Sequence, residues 1–78
     1  MTTGDFTNAQ RTQFAFMAIQ AHTSAKGVQC DPDPAYSDLP DLLADLMHFC
    51  AQNNIDFTLA LESARGHFTA EVAEEGGA

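Results

Sequence analysis

The sequence predicts an all-α fold, a small three-helix bundle with an Asp-Pro-rich loop between its first and second helices. Three observations carry this. Apolar residues recur at helical spacing in three stretches, a capping residue stands before each, and no stretch shows convincing strand alternation. The 78 residues form one domain, residues 1–78, near the size at which a hydrophobic core alone supplies only ~3–5 kcal/mol. An apolar fraction of 45% argues for a folded chain rather than a disordered one, despite a formal charge of −8.

The first helix is expected over residues 8–25. Thr7 is its N-cap, Gln10 stands three positions on in a capping-box arrangement, and Gly27 stops it. At 100° per residue, Phe14, Ala15, Met17, Ala18, Ile19, Ala21 and Ala25 form a broad apolar sector, with Phe16 outside it. The stretch "DPDP" follows. Each proline fixes φ and disfavours the helical region at the aspartate before it, so this loop should be semi-rigid.

The second helix is expected over residues 39–52, with Asp38 as N-cap, Pro40 in the first turn and Asp41 near the positive end of the dipole. It is the most clearly amphipathic segment. Leu39, Leu42, Leu43, Leu46, Met47, Phe49 and Cys50 share one side, and Asp41, Asp45, His48 and Gln52 the other. Asn53 or Asn54 can take the left-handed conformation that ends it. Asp56 then caps a third helix over residues 57–74, antiparallel to the second because the turn is short. There Phe57, Ala60, Leu61, Ala64, Phe68 and Val72 form a stripe, Leu59 points away, and Gly66 costs about 1 kcal/mol relative to Ala. Leu42, Leu46, Phe57, Leu61 and Phe68 are the expected buried core. The two ends, "MTTGD" and "EEGGA", read as flexible.

Charge is divided unevenly. Residues 1–30 carry Asp5 against Arg11 and Lys26, whereas residues 31–78 carry ten acids against Arg65. Such a surface repels nucleic acid and anionic membranes and attracts basic proteins. Two cysteines, Cys30 and Cys50, make no disulfide framework, and neither a secretory signal nor an apolar run of about 20 residues is present. A cytoplasmic setting with reduced thiols is expected.

No cofactor or metal is expected from the spacing of candidate ligands. A calcium-binding EF-hand loop beginning at Asp31 would need an oxygen ligand at its fifth position, Gly at its sixth and Glu at its twelfth, where the sequence has Ala35, Tyr36 and Leu42. His22, Cys30, His48, Cys50 and His67 lack the paired spacing of a zinc site, and His48 and Cys50 point about 160° apart on a helix. Asp45 and His48, three residues apart, read as a surface ion pair. Neither Cys50 nor Ser63 sits in a nucleophile motif, so an enzyme is not expected.

The carboxylates of Asp31, Asp33, Asp38, Asp41 and Asp45, which occur within fifteen positions free of Lys and Arg, are the candidate partner-binding residues. Asp38, Asp41 and Asp45 step ~4.5 and ~6 Å along a helix, comparable with the charge spacing of a nucleic-acid strand. Such a row could imitate a phosphate backbone and fill a basic DNA-binding groove. An ordinary solvated helix face accounts for the same residues.

Residues 39 to 71, above all "DLLADLMHFC", the Asn-Asn-Ile-Asp-Phe that follows, and Ala64, Arg65 and His67, resemble short acidic proteins of phages and bacterial mobile elements, a group that includes anti-CRISPR proteins. The resemblance implies a non-enzymatic inhibitor that binds a type I CRISPR surveillance complex (Cascade) in the host cytoplasm and obstructs its basic DNA or PAM site, without binding nucleic acid itself. The alternative is a mobile-element adaptor, regulator or antitoxin that binds another basic host protein. The class has no common fold or shared binding residue, so it assigns no position here. A monomer or weak dimer is expected, with Phe16 and Leu59 as candidate apolar anchors.

Overall fold

The computed structural model describes residues 6–30, 32–33 and 37–76. It contains three helices, α1 (Asn8–Lys26), α2 (Asp38–Gln52) and α3 (Phe57–Gly76), with no strand among the described residues. The all-α, three-helix class is therefore observed, and each helix contacts both others. Asp31 and residues 34–36 lie outside the described residues, so the expected stiffness of the Asp-Pro loop is not addressed there.

Local chemistry sets the helix ends. Thr7 caps α1 through a complete capping box: its Oγ1 accepts from the Gln10 N–H at 3.1 Å, and its own N–H donates to Gln10 Oε1 at 2.8 Å. Gly27, at φ 77°, takes the left-handed conformation and its N–H donates to the Ser24 carbonyl, while the Val28 N–H returns to Thr23. Asn54, at φ 57°, makes the second stop, and the Ile55 N–H donates to the Cys50 carbonyl. Asp56 then caps α3, its Oδ1 accepting from the Leu59 N–H at 3.1 Å.

Three boundaries differ from the sequence expectation, the first being that α1 runs one residue further, to Lys26. Asp38 is the first residue of α2 and Ser37 precedes it as the N-cap. The third helix continues past Glu74 to Gly76, because Glu71 and Glu75 near its end make contacts with α1 that hold those turns in place.

The buried core is the larger correction. Of the five residues expected inside, Leu42 and Phe57 are only half-buried, and Leu46, Leu61 and Phe68 are exposed, Phe68 by 65%. On α1 the expected apolar sector also stays outside: Phe14 and Met17 are exposed like Phe16, and only Ile19 of its large residues is half-buried. The face that α1 turns inward carries Asn8, Arg11, Ile19 and His22, residues that share one side at 100° per residue. Hydrogen bonds and ion pairs to acids of α2 and α3, rather than apolar area, orient the helix. Phe6 folds back over α1, its ring edge-on to Phe14 with centroids 5.2 Å apart.

The result is a thin, open molecule measuring 41 × 32 × 21 Å. Its radius of gyration is 14.3 Å, against about 11.5 Å for a compact chain of this length. Among the described residues, only Thr23, Asp38 and Cys50 are buried. The Thr23 hydroxyl donates to the Gln20 carbonyl at 3.0 Å and lies 3.2 Å from Cys30 Sγ. Both cysteines are free thiols.

Candidate protein-binding surface

The five aspartates singled out by the sequence do not form one outward row. Asp31 lies outside the described residues, and Asp33 is exposed on the loop. Asp38, at the start of α2, is only 5% exposed, so the expected surface step from Asp38 to Asp41 is absent. As an acid in the first turn, Asp38 complements the positive end of the α2 dipole, as does Asp41. Asp41 is exposed.

Asp45 faces α1. Its Oδ2 accepts from His22 Nε2 at 2.7 Å and from Lys26 Nζ at 3.4 Å, two residues one helical turn apart and hence on one side of α1. The hydrogen bond from His22 holds the Asp45 carboxyl below its ordinary value of 3.8. Partial desolvation opposes this, and Lys26 adds to it through a second hydrogen bond and its charge. Asp45 thus pairs with His22 across helices rather than with His48, which is exposed on its own helix. His22 Nδ1 is buried without a hydrogen-bond partner.

A second polar junction joins α1 to the far end of α3. Arg11 Nε lies 3.4 Å from Glu71 Oε2, with both side chains about four-fifths buried, and Arg11 Nη1 donates to Asn8 Oδ1 at 2.8 Å. Asn8 Nδ2 donates to the Glu71 carbonyl at 3.2 Å, and the Asn8 backbone N–H donates to Glu75 Oε2 at 2.7 Å. There is an electrostatic reason for this arrangement. The first turn of α1 contains no acid and the last turn of α3 no base, so the α3 carboxylates lie at the wrong end of their own dipole. Docking them at the N-terminus of α1 satisfies an orphan N–H and places negative charge against a positive helix end. Beside this junction lies an open groove of 280 Å³ walled by Ala15, Phe68 and Val72.

These junctions consume cations. Of the three basic residues in the chain, Arg11 is paired with Glu71 and Lys26 with Asp45, leaving Arg65 exposed on α3. Asp41 points outward from the side of α2 opposite its leucines, and Asp45 beside it faces α1 with 46% of its side chain still exposed, so the molecule carries an acidic outer face and a separate apolar one.

His48, His67 and Cys30 are exposed and Cys50 is buried, and no three His, Cys, Asp or Glu side chains converge to hold a metal among the described residues. No helix of the described residues is long and apolar enough to cross a membrane. Arg11, His22, Glu71 and Glu75 were not singled out by the sequence for their roles here. The clue in the sequence is the pairing of an acid-free helix start with an acid-rich helix end. Comparison with protein-family models, curated proteins and solved structures finds no match.

Proposed function

We infer that the protein is a non-enzymatic acidic inhibitor that covers a basic, nucleic-acid-binding surface of another protein. The target we propose is the DNA or PAM site of a type I CRISPR surveillance complex in the host cytoplasm, as the sequence resemblance implies. One observation carries the reading: Arg11 and Lys26 are each engaged by an acid of the chain, Glu71 and Asp45, which leaves nine acids against Arg65 and so a strongly negative remainder. A surface of this kind speeds encounter with Lys- and Arg-rich grooves and suppresses binding to nucleic acid itself. The contact surface we propose comprises Asp33 and Asp41 with the exposed edge of Asp45, and Asp31, two positions before Asp33 in the sequence, is a further candidate. Asp38 acts from beneath as a helix-positioning group.

The test is a mobility-shift assay with a type I surveillance complex and a labelled duplex carrying its PAM and target. Preincubation with the protein should abolish the shifted band, and prior loading of the DNA should protect the complex. Full DNA binding in the presence of micromolar protein at low salt would overturn the CRISPR target. Capture of a different basic host protein in place of the complex would favour an adaptor or antitoxin.

A further inference from the structure

We propose that α1 is a displaceable cover: a cationic helix seated on an acidic site of the α2–α3 hairpin, which a cationic helix of the partner takes over by pushing α1 aside. The assignment of that incoming helix to the inhibited protein rests on the inhibitor reading. The covered site itself rests on how charge is divided among the helices. α1 contains Arg11 and Lys26 and no acid, whereas α2 and α3 contain seven acids against Arg65. The two sets meet directly. Arg11 Nε lies 3.4 Å from Glu71, His22 and Lys26 reach Asp45 at 2.7 and 3.4 Å, and the Asn8 N–H donates to Glu75. In the free protein α1 is thus the hairpin's own basic ligand.

The spacing defines what else fits. At 100° per residue Ala15, His22 and Lys26 stand within about 60° of Arg11, and His22 and Lys26 lie about 16 and 22 Å along the axis from it. The occupant is a helix with one base, a small or apolar residue a turn later, and bases three and four turns on. α1 meets this pattern loosely. Its Phe14, Phe16 and Met17 stay 48–61% exposed, and the small side chain of Ala15 leaves the 280 Å³ groove open against Phe68 and Val72. The Lys26–Asp45 pair is nearly half exposed, where ion pairs contribute little. An incoming helix with a larger apolar side chain at the Ala15 position fills the groove and gains apolar burial that α1 lacks. Each carboxylate meanwhile exchanges one cation for another rather than losing its partner, which keeps the cost of displacement low.

The probe is a rhodamine-labelled peptide of residues 6–28 carrying Ala15→Leu, acetylated and amidated so that its ends are uncharged, titrated with the full chain at about 50 mM salt and followed by fluorescence anisotropy. Arg11→Met in the chain loosens the cover without removing an acid. It should tighten peptide binding about 5- to 30-fold, because the fraction of chains with an open site sets the apparent affinity. Lys26→Met should act in the same direction by about two- to fivefold. Arg65→Met, the same change in charge at an exposed position of α3, should leave affinity within about twofold. A peptide with Gln in place of Arg11, His22 and Lys26 should bind at least about 10-fold more weakly, and one retaining Ala15 at least about threefold more weakly. No surveillance complex enters this titration, so its failure and that of the inhibitor reading are distinguishable. No binding to the Arg11→Met chain up to about 500 µM, equal affinity for that chain and the unaltered one, or equal effects of Arg11→Met and Arg65→Met would each overturn the proposal. Twice the monomer mass of 8.4 kDa for the unaltered chain would put α1 of a second copy in the site and overturn the assignment to a partner.

Discussion

Arg11→Met tests whether a polar junction, rather than an apolar core, fastens α1 to α3. The substitution keeps the length of the aliphatic stem and removes both the contact to Glu71 at 3.4 Å and the hydrogen bond to Asn8 Oδ1 at 2.8 Å. In an environment of effective dielectric near 20, two charges at that distance attract by about 5 kcal/mol before desolvation. Exposed pairs retain about 0–1 kcal/mol of this net, whereas breaking a fully buried pair costs about 3–5 kcal/mol. With the two side chains 21% and 19% exposed, the expected loss lies between these limits, at about 1–2 kcal/mol. That corresponds to a fall in Tm of roughly 5–15 °C for a chain of this size. Circular dichroism melts of Arg11→Met, Glu71→Leu and the double variant give the coupling, which should be at least about 0.5 kcal/mol because removing both partners leaves no unpaired buried charge. A Tm change below about 2 °C, or strictly additive single losses, would refute this account of how α1 is held.

The Asp45 junction should be sensitive to acid. Because the folded-state carboxyl is held below 3.8, chiefly by the His22 hydrogen bond, its contribution to stability is fully present above that value and is lost as pH falls through the lowered one. Amide protection factors in α1 and α2, referred to the intrinsic exchange rate at each pH, should therefore fall below about pH 4, and Asp45→Asn should flatten that acid limb. Thr7→Ala should cost about 1 kcal/mol by removing the acceptor of the Gln10 N–H, measured by urea denaturation. Gly27 and Gly66 should respond with opposite signs. Gly27→Ala forces a side chain into the left-handed region at a cost of about 1–2 kcal/mol, whereas Gly66→Ala, mid-helix with open space around it, should stabilise by about 0.5–1 kcal/mol in the same assay.

The helix ends were legible in the sequence because they are local. Thr7 with Gln10, Gly27, Asn54 and Asp56 each act within a few residues of themselves, and the structure uses all of them. Packing direction was not legible from periodicity alone. The first helix has apolar residues over a broad sector, so hydrophobicity assigned Phe14 and Met17 to the interior, but the polar residues at Asn8, Arg11 and His22 met acids 23 to 67 positions away in sequence. Pairing at that separation has no repeating pattern to read. Asp38 illustrates the same limit at the candidate surface. A carboxylate in an acidic run reads as exposed, whereas the entry into α2 buries it. The absence of a closed core follows too, since three short helices with one polar inward face have more apolar surface than they can cover.

The role proposed for the acidic outer face is capture of a basic nucleic-acid-binding protein. The most direct measurement is the association rate of a type I surveillance complex with the immobilised protein across a salt series, for the unaltered chain and for Asp33→Asn with Asp41→Asn. Circular dichroism of the double variant checks that its helices are retained, and Asp41→Asn alone, outside the junctions with α1, repeats the comparison. The account predicts rapid association at low salt, a steep decline as salt rises, a slower rate for the double variant, and competition by target DNA. No association at low salt, or rates that are flat with salt and equal for the two proteins, would contradict it.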